Sequence, residues 1–119
     1  MLKKYLINPV AKPRMTRCDV WKKRPVVLKY REFCDLCRAH KVFIPVSGAT
    51  VYFIIPMPQS WSKKKKEQMN DRPHQQKPDI DNLLKAVLDA IYLDDQKVWD
   101  VHVKKRWGYE GAIYVSTLE

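Results

Sequence analysis

The chain has 119 residues, with 23 Lys and Arg against 13 Asp and Glu, a formal net charge of +10. That length suits one domain with one core, and a hydrophobic fraction of 45% excludes wholesale disorder. No apolar run approaches the roughly 18–20 residues that span a bilayer, the longest lying near Val51–Pro56. The opening Met1-Leu2-Lys3-Lys4-Tyr5 lacks the apolar centre of a signal peptide. Three cysteines, Cys18, Cys34 and Cys37, make an odd count and point to free thiols in a reducing compartment. The expectation is a single-domain cytoplasmic protein, residues 1–119, with no membrane partner. Its positive balance points to a polyanion, because each Lys or Arg that neutralises a phosphate releases a counterion. Charge for solubility is the bland alternative.

Lys4–Ile7 reads as a short strand. Asn8–Pro25 is a long loop broken by Pro9, Pro13 and Pro25 and dense in Lys12, Arg14, Arg17, Lys22, Lys23 and Arg24. Trp21 inside it can stack on a base or pin the loop to the core, and pinning is the preferred reading. Val27–His40 is the first helix, with Leu28, Tyr30, Phe33, Cys34, Leu36 and Cys37 near helical spacing. Val42–Ile44 begins as a strand and is interrupted by Pro45 and Gly48. Ala49–Ile55 is a central strand ended by Pro56 and Pro58.

Ser60 or Ser62 caps a short helix within Ser60–Asn70, which carries Lys63–Lys66. That lysine run is either a solvated face or an extension of a nucleic-acid footprint. Asp71–Pro78 is irregular. Asp81–Ile91 is the clearest helix, with Leu83, Leu84, Val87, Leu88 and Ile91 on one stripe. Lys97–Trp107 alternates as a half-buried strand: Trp99, Val101, Val103 and Trp107 on one face, Asp100, His102, Lys104 and Arg106 on the other. Both tryptophans are expected in the core or a dimer interface. Gly108-Tyr109-Glu110-Gly111 signals a hairpin, and Ala112–Leu118 is its return strand. The fold class is α/β of the α+β type: a small mixed sheet with two main helices.

The chemistry concentrates in Lys77-Pro78-Asp79-Ile80-Asp81-Asn82-Leu83-Leu84-Lys85. In extended backbone, residues two apart point the same way, so Asp79 and Asp81 converge. Like charges that close repel unless a cation lies between them, and hard ions such as Mg²⁺ or Mn²⁺ suit carboxylates. Asp is also a good helix N-cap, but one Asp suffices for that. Lys85 lies one helical turn beyond Asp81. It either contacts a phosphate or forms an ordinary surface ion pair. Asp94-Asp95 follows the helix, where carboxylates oppose the helix dipole, so a third acid can return to the site. The alternative is a plain turn. Cys34-x-x-Cys37-x-x-His40 invites a zinc reading, but helical spacing rotates His40 away from Cys34, and core thiols with a surface His are preferred. His74 and His102 are not favoured as proton shuttles.

Asp79-Ile80-Asp81-Asn82-Leu83-Leu84-Lys85-Ala86-Val87-Leu88-Asp89-Ala90-Ile91, followed by Leu93-Asp94-Asp95-Gln96-Lys97-Val98, resembles the RusA family of Holliday junction resolvases. Its hallmark is D-x-D-N-x-x-K, then D-A-L or similar, then a D-D pair and a strand. Pro9–Arg14 looks like the family's basic entry loop.

The resemblance implies Asp79, Asp81 and Asp95 as ligands of catalytic Mg²⁺ (Mn²⁺ a possible substitute). Lys85 is then the essential lysine, Asn82 and Asp94 support the site, and Asp89 is a recurring acid of open role. Lys12, Arg14, Arg17, Lys22, Lys23 and Arg24 would grip DNA backbone. Ala90–Leu93 is shorter than the matching segment of some relatives, so the helix must turn quickly towards Asp95. The resemblance further implies a homodimer that cuts four-way junction DNA symmetrically in recombination and repair, as in relatives from phages and prophages. The rival readings are a non-catalytic junction- or single-strand-binding module and a nuclease acting on flaps or forks.

Overall fold

A computed structural model describes residues 2–13, 25–92 and 95–117. Arg14, Arg17, Cys18, Trp21, Lys22, Lys23, Arg24 and Asp94 lie outside the described residues, as does the side chain of Asp95. The elements are β1 (Leu2–Tyr5), α1 (Pro25–Ala39), β2 (Ala49–Pro56), α2 (Lys63–Met69), α3 (Ile80–Ile91), a 3₁₀ turn (Asp95–Lys97), β3 (Val101–Gly108) and β4 (Ala112–Thr117). The expected class holds: a four-stranded mixed sheet with α1 and α3 packed on one face.

The strand order is β1-β4-β2-β3, with β2 parallel to β3 and antiparallel to β4. β2 is therefore central, as its composition demands. Its Ala49, Val51 and Phe53 are buried and pack with Val115, Ile113, Tyr30, Phe33, Leu83 and Val87 into one core. Alternation works because successive side chains leave opposite faces.

One expectation fails here. Gly108–Gly111 does not close a hairpin, because β2 lies between β3 and β4. The four residues instead step across the end of β2, where Gly108 pairs with Pro56 and Ala112 with Ile54. A Cβ on Gly108 would sit 2.3 Å from Ile54 Cγ2, so the crossing needs a residue without one. A local turn signal cannot tell a neighbouring strand from one two places away.

Helix α1 buries Val27, Tyr30, Phe33, Cys34 and Cys37, while Leu28 and Leu36, read as part of its stripe, are 45% and 40% exposed. Burial pushes the Cys37 thiol up to about 12, with Cys34 adding and Arg38 opposing. His40 is exposed, away from the two buried thiols. Val42 and Ile44 are buried with Phe43 exposed between them, and the segment forms no strand. It supports the end of α3, where the Tyr92 hydroxyl donates to the Ile44 carbonyl. Trp99, expected in the core or a dimer interface, is 77% exposed and so is not a core residue of this chain, since β3 begins only at Val101. Helix α2 is capped by Ser62, whose hydroxyl accepts from the Lys65 amide at 3.1 Å.

The outer edge of β3 is covered by the segment after α2. The Asp71 amide donates to the Trp107 carbonyl, the Trp107 amide to Arg72, and the His74 amide to Lys105, all at 3.0–3.1 Å. That pairing blunts an exposed edge and delivers the chain to the start of α3.

Candidate functional site

Helix α3 begins with Asp79 at its N-cap, in extended backbone with φ −70° and ψ 146°. An Asp there usually spends its carboxylate on the helix amides, but Asp79 makes no side-chain cap bond. Asp81 lies in the first turn. Both face the positive end of the helix dipole, which favours carboxylates. Among the described residues neither side chain has an ion-pair or hydrogen-bond partner, and both are exposed. They line one open cavity of about 530 Å³ with His74, Gln76 and Lys105. Both carboxylates thus open on the same cavity, although Asp81 stands in helical rather than extended backbone, and Asp79 makes no side-chain cap bond.

Lys105 is the residue that sequence reading missed. Its ammonium donates to the Gln76 carbonyl at 2.8 Å and to the Pro78 carbonyl at 2.7 Å. It thus ties the strand to the backbone just before Asp79. Burial pulls the ammonium below its ordinary pKa, and the Asp79 charge opposes that pull. The signal lay in the alternation of β3: Lys105 occupies the same face as Val101 and Val103, opposite buried Phe53. A lysine on an inward-facing row needs polar partners.

His74 is 4% exposed. Its ring lies 4.3 Å from that of Trp107, which also touches Trp61. Burial first, then the Lys105 charge, holds its pKa below the ordinary value. Its Nδ1 has no hydrogen-bond partner.

Two other expected residues are placed by α3. Lys85 is exposed and forms no ion pair with Asp81 among the described residues. Lys12 pairs with Asp89, and its amide donates to the Asn82 carbonyl at 3.2 Å. The basic loop therefore leaves the described chain beside the first turn of α3, and Asp89 acquires a structural partner. Lys65 lies over Trp61 at 4.2 Å while the rest of the lysine run stays on the exposed face of α2.

Asp95 opens the turn that joins the far end of α3 to β3. Ten residues of helix separate Asp81 from Ile91, roughly 15 Å, and four residues of chain reach at most roughly 14 Å. Among the described residues no three His, Cys, Asp or Glu side chains gather as a metal cluster.

Two carboxylates on an open cavity still fit Mg²⁺, which keeps several waters and commonly binds through one or two carboxylates plus substrate phosphates. The family model described as Endodeoxyribonuclease RusA matches residues 8–117. The chain belongs to the RusA endodeoxyribonuclease family. A relative, "Uncharacterized protein YqaN" of Bacillus subtilis (strain 168), is 42% identical over 83 residues, covering 63% of this chain and 58% of the relative. The chain therefore spans little more than half the length of that relative. In this RusA-family chain the match takes in the whole Asp79–Lys85 stretch, the Asp94-Asp95 pair and β3 with Lys105. Among the described residues no helix is long and apolar enough to cross a membrane.

Proposed function

We propose that this protein is a Mg²⁺-dependent endonuclease that resolves four-way DNA junctions, acting as a homodimer that makes paired cuts. The supporting observation is the pair of carboxylates, Asp79 and Asp81, on one open cavity at the start of α3, neither with an ion-pair or hydrogen-bond partner among the described residues. Family membership supplies the nuclease class.

Asp79 and Asp81 hold the ion, with Asp95 as the third ligand that the family resemblance implies. Bound there, Mg²⁺ supplies Lewis-acid polarisation of a phosphoryl oxygen and a lowered pKa for its water. Lys105 fixes the backbone at Gln76 and Pro78, and so holds Asp79 in place before substrate arrives. Such preorganisation avoids rearrangement during the reaction. Lys85, one turn beyond Asp81 and without an ion pair among the described residues, offers its ammonium to the scissile phosphate. Asn82 supports the helix start: its carbonyl anchors the loop amide at Lys12. Arg14, Arg17, Lys22, Lys23 and Arg24 contact the DNA backbone, and Lys12 secures that loop against Asp89.

A cleavage assay on a synthetic four-way junction at fixed salt tests this reading. It compares Mg²⁺ with EDTA and wild type with Asp81→Asn, with linear duplex as control. Paired symmetric nicks that need both Mg²⁺ and Asp81 are the expected result. Tight binding with no cut under any divalent metal would instead identify a binding module, and preferential cutting of flaps or forks would reassign the substrate.

A further inference from the structure

The sheet has two faces; α1 and α3 pack on one of them, and the C-cap of α2, Asn70, reaches only the margin of the other. The cross-strand register assembles the other. Lys4 pairs with Tyr114, Tyr114 with Tyr52, and Tyr52 with Lys104. One row across all four strands therefore reads Lys-Tyr-Tyr-Lys. Lys4 lies 5.5 Å from the Tyr114 ring, while Lys104 and Arg106 lie 5.8 and 5.7 Å from the Tyr52 ring. Both tyrosines are half-buried and, with Lys4 and Arg106, line a shallow basin of about 630 Å³ with Tyr109 at its rim, while Lys104 borders the adjoining depression beside His102. No described helix covers it. On the strands themselves this face carries cations and no carboxylate; Asp71 and Glu110 stand only at the margin of the basin.

We propose that this open face binds a single-stranded DNA segment, its bases stacking on Tyr52 and Tyr114 and its phosphates meeting Lys4, Lys104 and Arg106. Two flat aromatic rings at the centre of a basic row match what unpaired bases on a polyanionic backbone require, and the cations already sit at ring-contact distance. A four-stranded sheet that presents aromatics to bases is an established physical solution for single strands. Duplex hides its base faces, so it gains only the charge part of the interaction. The surface is separate from the acidic cavity, which opens on the helix side, and its occupancy needs neither metal nor cleavage.

The test is binding of a fluorescent oligo-dT to the full chain in EDTA, repeated in the Asp81→Asn background so that a failed nuclease reading leaves it intact. Tyr52→Leu and Tyr114→Leu should each weaken binding roughly five- to a hundredfold, while Tyr52→Phe and Tyr114→Phe retain it. Lys104→Ala should lower the log–log salt slope by roughly 0.7. Matched duplex should be nearly indifferent to the tyrosine changes. Unchanged oligo-dT binding by folded Leu variants would overturn the proposal. So would Leu variants that dissociate a dimer in sedimentation without loss of affinity per chain, since the face would then be covered by a second copy.

Discussion

Helix α3 carries the same residue type in two conditions. Asp89, two turns in, is half-buried and paired with Lys12. Asp79 and Asp81, at its start, face an open cavity with no partner among the described residues. The neighbouring chemistry follows the same division. Around Asp89 the contacts hold the fold: Arg38 Nε donates to the Ala90 carbonyl at 3.0 Å and Tyr92 to Ile44. Around Asp79 the hydrogen bonds of Lys105 go to backbone carbonyls, and its ammonium meets the carboxylate only through space, with no ion pair or hydrogen bond. A carboxylate whose charge is met inside the protein is structural, whereas one held in place but unmet is available to a cation.

The sharpest way to break that contrast is to neutralise each acid in turn. Asp79→Asn and Asp81→Asn should each cost on the order of a hundredfold or more in junction cleavage, since even losing an outer-shell partner costs up to that. Junction binding in EDTA should survive. Asp95→Asn extends the series: a loss on the same scale brings the short connection into the site, and a wild-type rate confines the metal site to Asp79 and Asp81.

Lys105→Met comes next. It leaves two backbone carbonyls without their donor, and single-turnover cleavage should fall roughly tenfold to a hundredfold with little change in junction affinity. An equal loss of affinity would mean that Lys105 touches DNA instead.

Asp89→Asn should do the opposite of the first pair. Cleavage stays within a few-fold, while urea denaturation shows a loss of about 1 kcal/mol for the half-buried ion pair. Abolished cleavage with unchanged stability would erase the distinction between the two ends of the helix.

The smallest effect concerns His74. Its folded pKa lies below the ordinary 6.5, so below that pH the unfolded chain takes up the proton first. Its contribution therefore lowers stability as pH falls from 6.5 to the folded pKa, and is absent above. His74→Phe keeps a ring against Trp107 and removes the unpartnered Nδ1. Thermal melts at pH 7.5 and 5.0 should show a smaller acid-side loss in the variant than in wild type.

Much of this was legible in the residues. The alternation of Ala49–Ile55 and the stripe of α3 are local consequences of periods of 2 and 3.6 residues, so strand and helix appeared close to their observed bounds. The acidic pair was legible as residue type at a helix start, although the extended-chain argument for it does not hold, since Asp79 is the N-cap and Asp81 already lies in the first turn. Lys105 was not, since its meaning depends on facing Phe53 across β2 and on a loop that returns from α2 to meet it. The core placement of Trp99 failed because alternation was extended past the true start of β3.

By itself, then, the sequence determined the fold class, the helix that carries the acids and the chemistry those acids suit. These rest on short-range geometry and residue type. Only the tertiary structure decided the strand order, the insertion of β2 between β3 and β4, the pairing of Lys12 with Asp89 and the basic aromatic row on the open face. Each of those joins residues far apart in the chain, where the governing terms are burial of the most apolar strand and satisfaction of inward-facing charge.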